Sequence, residues 1–245
     1  MSLSDFQQYW LYEHGPLVAS HATHLNLIRY VQVHTLEHPI NEGMNKARGG
    51  KMEAPYDGVA ELWWENDEAL MASLGSSKGE TAGAELLKDE ANFIDFANSP
   101  LWMNCEYPQV NPTPENIVAH VKSNVMKIHF PLRHLASTPE DEVRRYWLRN
   151  HGPIIRSHAP ASGILRYQQV HRIEHPVETA LREARGTVVD AYLGHAEVWI
   201  SLDRPPTEAS AAANKAAVAD ETNFIDFERS SIFVAKEHVI VDRRG

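Results

Sequence analysis

Tyr9-Trp10-Leu11, His14-Gly15-Pro16, Ser20-His21-Ala22, Arg29-Tyr30, Gln32-Val33-His34 and Glu37-His38-Pro39 recur as Tyr146-Trp147-Leu148, His151-Gly152-Pro153, Ser157-His158-Ala159, Arg166-Tyr167, Gln169-Val170-His171 and Glu174-His175-Pro176, at a constant offset of 137. A second block, Asp89-Glu90 with Asn92-Phe93-Ile94-Asp95-Phe96, recurs as Asp220-Glu221 with Asn223-Phe224-Ile225-Asp226-Phe227. These identities are too many and too evenly spaced for chance, and together they span a whole folding unit. The chain is a tandem of two homologous domains. The spacing predicts a first repeat over residues 1–110, a linker over 111–124 and a second repeat over 125–245.

The second repeat carries the fuller pattern. Met126, Ile128, Phe130 and Leu132 alternate with Lys127 and His129, the period of a half-buried strand. Thr138-Pro139-Glu140-Asp141 then opens a helix whose buried face carries Val143, Trp147 and Leu148. His151-Gly152-Pro153 is expected to break or kink that helix, because proline removes a backbone donor. Residues 164–171 read as a second strand, 177–185 as a short helix and 192–201 as a third strand. Pro205-Pro206-Thr207 opens a second long helix, and residues 234–241 close as a fourth strand. Strand, helix, strand, strand, helix, strand describes an α+β, ferredoxin-like unit with one antiparallel sheet. Two such tandem repeats are expected to pair their sheets into an intramolecular, pseudo-dimeric α/β barrel. The first copy starts at its helix, with Ser4-Asp5 where the second has Asp141-Glu142. Its first strand, central in such a sheet, lacks a counterpart, and the expectation is that the natural gene product or a neighbouring chain supplies it. Between the repeats, Thr113-Pro114-Glu115 reads as a helix start leading to Asn124.

A formal charge of −10 without a basic cluster argues against a nucleic-acid partner. No apolar run approaches the roughly 20 residues of a membrane span, and the amino terminus resembles no signal peptide, so the cytoplasm is the expected compartment. Cys105 is the single cysteine, which excludes an intrachain disulfide and a thiolate zinc cage. The glycines form no phosphate-cradling loop, and Gly-x-Ser-x-Gly is absent.

Tyr-Trp, three residues, His-Gly-Pro, then Arg-Tyr-x-Gln-x-His on a strand and finally Phe-Ile-Asp-Phe together resemble the EthD domain of the dimeric α/β-barrel superfamily. The resemblance covers both repeats. Because single-domain members pair as dimers, it implies a covalent pseudo-dimer, with a homodimer of pseudo-dimers as a compatible assembly. Superfamily relatives include muconolactone and methylmuconolactone isomerases, polyketide cyclases, cofactor-free monooxygenases and haem-dependent enzymes.

Histidine is abundant, at 14 residues, and four pairs occupy equivalent positions of the two copies. His14 and His151 lie at the helix break, either as acid or base groups or as rings bonded to the carbonyls freed there. Along the second strand the period of two places Tyr30, Gln32 and His34 on one face, and Tyr167, Gln169 and His171 on the equivalent one. That face suits a pocket wall or a polar network. In the third strand Glu61 with Trp63, and Glu197 with Trp199, pair a carboxylate with an aromatic plate. The plate suits an aromatic ligand or core packing, and the carboxylate suits a neighbouring histidine. His34 with His38, and His171 with His175, have the spacing of metal ligands on a helix, but one ends a strand and the other precedes proline, so a turn role is expected. No metal and no cofactor is expected.

The leading expectation is a cofactor-independent enzyme of isomerase or lyase type, using His14 and His151, assisted by His34 and His171, on a small hydrophobic cyclic or aromatic metabolite. Tyr30, Gln32, Tyr167, Gln169, Glu61, Trp63, Glu197 and Trp199 are the expected substrate-binding residues. A cofactor-free, monooxygenase-like oxidoreductase and a non-catalytic ligand-binding or accessory protein are the alternatives.

Overall fold

A computed structural model describes residues 1–111 and 117–244. The first copy contains α1 (Leu3–Tyr9), a π-helical turn (Trp10–His14), α2 (Gly15–His21), β1 (Arg29–Thr35), α3 (Pro39–Ala47), β2 (Gly58–Trp63), α4 (Asp67–Leu74), α5 (Ser77–Glu90) and β3 (Met103–Val110). The second contains β4 (Val125–His134), α6 (Glu140–Tyr146), a π turn (Trp147–His151), α7 (Gly152–Ser162), β5 (Ile164–Ile173), α8 (Pro176–Arg185), β6 (Gly194–Ser201), α9 (Glu208–Glu221), the short β7 (Ile225–Asp226) and β8 (Phe233–Asp242). Polar caps fix the helix starts: Ser2, Asn66 and Ser76 accept backbone N–H bonds at α1, α4 and α5, and Thr207 forms a reciprocal box with Ser210 at α9. His38 and His175 cap α3 and α8 through Nδ1, each followed by proline at the first helical position. The Thr113-Pro114-Glu115 helix start lies outside the described residues, and from residue 117 to Asn124 the chain forms a bridge and a turn instead of a helix.

The paired strands form one antiparallel sheet in the order β2-β1-β8-β4-β6-β5-β3, with β7 attached to β4. The last strand of each repeat crosses over, so β8 pairs with β1 and β3 pairs with β5. Side-chain contacts show that the sheet curls into a half-barrel. At about 4.8 Å per strand, β2 and β4 would lie about 14 Å apart if flat, yet Lys127 Nζ on β4 sits 2.5 Å from Glu61 Oε1 on β2. The two outermost strands are linked as well, Trp63 Nε1 donating to Glu106 Oε1 at 2.9 Å.

Reciprocal ion pairs tie the repeats together. Arg48 of the first holds Glu221 of the second, with Nε–Oε2 at 2.8 Å, while Arg185 of the second holds Glu90 of the first. A pair repeated in both directions is what a two-fold relation between like units produces. The largest core cluster gathers Phe130, Leu132, Val143, Trp147, Tyr167 and Phe224 between helices and sheet. A second uses Val18, Leu27, Tyr30 and Ala82 in the first repeat, and Val31, Val33, Phe233 and Ala235 line the concave side.

Candidate functional site

The expected break at His-Gly-Pro is a π-helical turn in both copies, and the helix continues through it. Pro16 and Pro153 bring no N–H, and the chain accommodates them by widening one turn, so that the Gly15 N–H bonds Trp10 O and the Gly152 N–H bonds Trp147 O, five residues back. The strand below completes the turn. Gln32 Nε2 donates to Trp10 O at 2.7 Å, and Gln169 Nε2 to Trp147 O at 2.8 Å. Glycine eases this approach, since a Cβ on Gly15 would stand 3.3 Å from Gln32 Nε2, and one on Gly152 2.5 Å from Gln109 Oε1 and 3.2 Å from Gln169 Nε2.

The Tyr-Gln-His face therefore lies beneath this turn. Trp10 Nε1 donates to Tyr30 Oη at 2.9 Å, His34 Nε2 donates to Gln32 Oε1 at 3.0 Å, and the His34 ring stacks on Trp10 at 4.8 Å. In the second copy Trp147 Nε1 meets Tyr167 Oη at 3.2 Å, His171 Nε2 meets Gln169 Oε1 at 3.1 Å, and the His171 ring lies 4.4 Å from Trp147. Burial, helped by His238, pushes His34 down to about 3, and burial with Arg144 and His195 pushes His171 to about 4. Both rings are neutral at physiological pH and act as hydrogen-bonding wedges.

One step along the π turn, His14 Nδ1 donates to Asp89 Oδ2 at 2.7 Å, and His151 Nδ1 to Asp220 Oδ2 at 2.8 Å. Each carboxylate takes a tyrosine hydroxyl on its other oxygen, from Tyr9 at 2.6 Å and Tyr146 at 2.7 Å. The Tyr9 and His14 bonds hold the Asp89 carboxyl below its usual range against the opposing effect of burial, and the His151 bond does so first for Asp220, with Tyr146. Phe93 and Phe224 pack edge-on against the two imidazoles, with ring centres 5.1 and 5.2 Å away. Nε2 of each imidazole makes no hydrogen bond among the described residues, and both side chains are buried. A carboxylate on Nδ1 with a bare Nε2 opposite is the arrangement by which an imidazole takes and returns a proton. The repeated Asp-Glu pairs thereby have two jobs, aspartate for the histidine of its own repeat and glutamate for the arginine of the other.

The other face of the sheet holds a second polar assembly. Glu61, Lys127, His129, His195, Glu197 and Glu237 are all buried there. Lys127 Nζ reaches Glu61 Oε1 at 2.5 Å, Glu197 Oε1 at 3.0 Å and Glu237 Oε1 at 3.3 Å. Burial opposes this ammonium, but the three carboxylates outweigh it and hold its pKa above the ordinary lysine value. Burial and the neighbouring Glu197 push Glu61 well up, whereas Lys127 and His195 overcome burial and hold Glu197 well down. Glu237 also accepts from Trp199 Nε1 at 2.8 Å, the counterpart of the Trp63–Glu106 bond.

The family model of the EthD domain matches residues 1–97 and 136–228, taking in both copies of the π turn and its aspartate. The chain belongs to the EthD family. No curated protein matches it. In this EthD protein the structure joins His14 and His151 to the conserved-in-both-copies aspartates, and keeps His34, His171, Tyr30, Gln32, Tyr167 and Gln169 together as the support of the same turn. Glu61, Trp63, Glu197 and Trp199 lie on the opposite, concave face, and the expected pairing of these glutamates with histidines appears as His195 Nε2 at 3.2 Å from Glu197 Oε1 and His129 Nε2 at 3.8 Å from Glu61 Oε1. A surface cavity of about 600 Å³ lies elsewhere, lined by Arg172, Glu178, Arg182 and Asp190 among others. Lys127, His129, His195 and Glu237 escaped the sequence reading. Lys127 and His129 alternate with apolar residues as a solvated strand face would, and they belong to the one strand without a copy in the first repeat.

Proposed function

We propose that this EthD protein is a proton-transfer enzyme of isomerase or lyase type, acting on a small hydrophobic cyclic or aromatic metabolite through His14–Asp89 and His151–Asp220. The carrying observation is the duplicated aspartate–histidine pair with Nε2 left bare, each on a π turn, a local form frequent at functional sites. Nε2 removes a proton from a carbon beside a carbonyl, the electron pair passing to the carbonyl oxygen as an enolate, the aspartate stabilises the imidazolium so formed, and the same nitrogen returns the proton at a conjugated carbon as the carbonyl re-forms. These steps use no group beyond the chain. Phe93 and Phe224, edge-on to the rings, supply apolar surface beside them. His34, His171, Tyr30, Gln32, Tyr167 and Gln169 are positioning residues in this scheme, because they fix the turn that aims each catalytic imidazole.

The scheme includes two ferredoxin-like repeats closing as an intramolecular pseudo-dimeric barrel. The strand order β8-β4-β6-β5 in the second repeat and the crossed β8 and β3 support it. The outer edges of β2 and β3 then flank the position equivalent to β4.

Incubation of the full chain in D2O with a panel of small lactones, cyclic enones and phenolic ketones, followed by mass spectrometry, tests the activity. Deuterium enters at carbon beside the carbonyl with wild type, and the His14→Gln/His151→Gln protein loses at least about 100-fold of that rate. Equal exchange in the folded double variant removes the catalytic role. A second reading, a non-catalytic accessory or binding protein, draws on the tyrosine bonds that make each aspartate a clamp between helices; ligand binding without exchange selects it.

A further inference from the structure

The concave cluster carries a feature that neither the dyads nor the packing uses. His129 is fully buried, and neither of its ring nitrogens has a hydrogen-bond partner among the described residues, Glu61 Oε1 lying 3.8 Å from Nε2; Nδ1 of buried His195 is also without a hydrogen bond. Leaving such groups unpaired in the interior is costly. The two rings stack 4.5 Å apart beside Glu61 and Glu197, and one ligand atom from each of the four residues lies within 4.8 Å of the others.

We propose that Glu61, His129, His195 and Glu197 bind one first-row divalent transition cation, of the Zn²⁺ class, where the two repeats meet inside the half-barrel. The donor set decides the class, since two imidazoles with two carboxylates suit zinc, iron or manganese better than the all-oxygen shells of calcium and magnesium. Charge points the same way. Three carboxyls, Glu61, Glu197 and Glu237, crowd around the one ammonium of Lys127, so a cation added between Glu61 and Glu197 relieves their mutual repulsion. Lys127 orients both carboxylates from outside the ligand set, and His195 keeps its bond to Glu197 until the cation replaces it. Tetrahedral ligands at about 2.0–2.2 Å from zinc lie about 3.4 Å from one another, so loading draws the farther donors, now within 4.8 Å, together while the His195–Glu197 pair at 3.2 Å hardly moves. The site joins β2 of the first repeat to β4 and β6 of the second, and its cation is a cross-link between the repeats, distinct from the dyads on the helical face.

The test uses the full chain, stripped with a chelator and dialysed against Co²⁺ or Zn²⁺. One ion per chain is retained, the Co²⁺ form shows visible d–d absorption, and thermal unfolding moves upward. His129→Asn and His195→Asn each weaken binding by at least about tenfold, while His238→Asn, outside the cluster, leaves it unchanged. Should either ligand variant fail to fold, ¹⁵N spectra of the wild-type rings decide: Zn²⁺ shifts His129 and His195. A folded wild type that retains no ion, ring signals that stay in place, or ligand variants that bind as tightly as wild type overturn the site.

Discussion

Lys127→Met removes the one ammonium from a cluster of three buried carboxylates while keeping the length of its stem. Lys127 is inaccessible to solvent and lies within 3.3 Å of Glu61, Glu197 and Glu237, so the variant keeps the desolvation cost of the carboxylates and loses their compensation. Removing one partner of such a buried pair costs about 3–5 kcal/mol. The loss depends on pH in a definite direction. Glu61 already has a folded-state pKa well above its ordinary value, so the folded protein holds a proton that the unfolded chain has released. Without Lys127 the Glu197 carboxyl, which that ammonium holds down, shifts upward too, and between the unfolded and folded pKa values stability falls as pH rises. Urea unfolding of wild type and variant, at pH 7 and at pH 5, gives the difference with every other titrating group cancelled. The variant loses about 3–5 kcal/mol at pH 7 and clearly less at pH 5. A loss under about 1 kcal/mol at pH 7, or one equal at the two pH values, refutes the reasoning, because a solvated lysine behaves so.

Wild-type stability rises between pH 4 and pH 6.5, since His34 at about 3 and His171 at about 4 are neutral in the fold but take protons when unfolded. Their contribution is complete above pH 6.5 and is lost as pH falls toward those values; urea midpoints that stay flat over this window contradict it. Gln169→Leu frees Trp147 O and His171 Nε2 of their partner and costs about 1–3 kcal/mol by urea unfolding; a neutral result removes Gln169 as the lock of the π turn. Gly194→Ala brings a Cβ to 2.1 Å from Val170 O at a φ of +155°, so it unfolds the protein or lowers its melting temperature by more than about 10 °C; an unchanged melt contradicts the strand packing.

The offset of 137 made the architecture legible, because like positions in the two copies revealed which pattern was structural. The predicted second-repeat strands and helices agree with β4, β5, β6, β8 and α6 to α9 within a few residues, and the two-residue β7 is an addition of the structure. Where His-Gly-Pro predicts a break or kink, the helix widens by one π turn and continues: proline's missing donor is visible in sequence, whereas the glutamine on a strand about twenty residues later, which holds the widened turn, is a tertiary partner. The aspartate that completes each dyad lay in the second repeated block, yet no local pattern ties it to histidine about 70 residues away. The concave cluster was hidden for a different reason. Alternation on β4 looks half-exposed, and only curling of the sheet buries Lys127 and His129 against Glu61 of the other repeat.

The state of the two dyad imidazoles tests the central claim most directly, through ¹H–¹⁵N correlation of the ring nitrogens of His14 and His151 at a pH high enough to leave both neutral. The account predicts that Nδ1 carries the proton, bonded to Asp89 or Asp220, and that Nε2 is bare, with Asp89→Asn and Asp220→Asn each disturbing its own ring. A proton on Nε2, or ring signals indifferent to loss of the carboxylate, would contradict it.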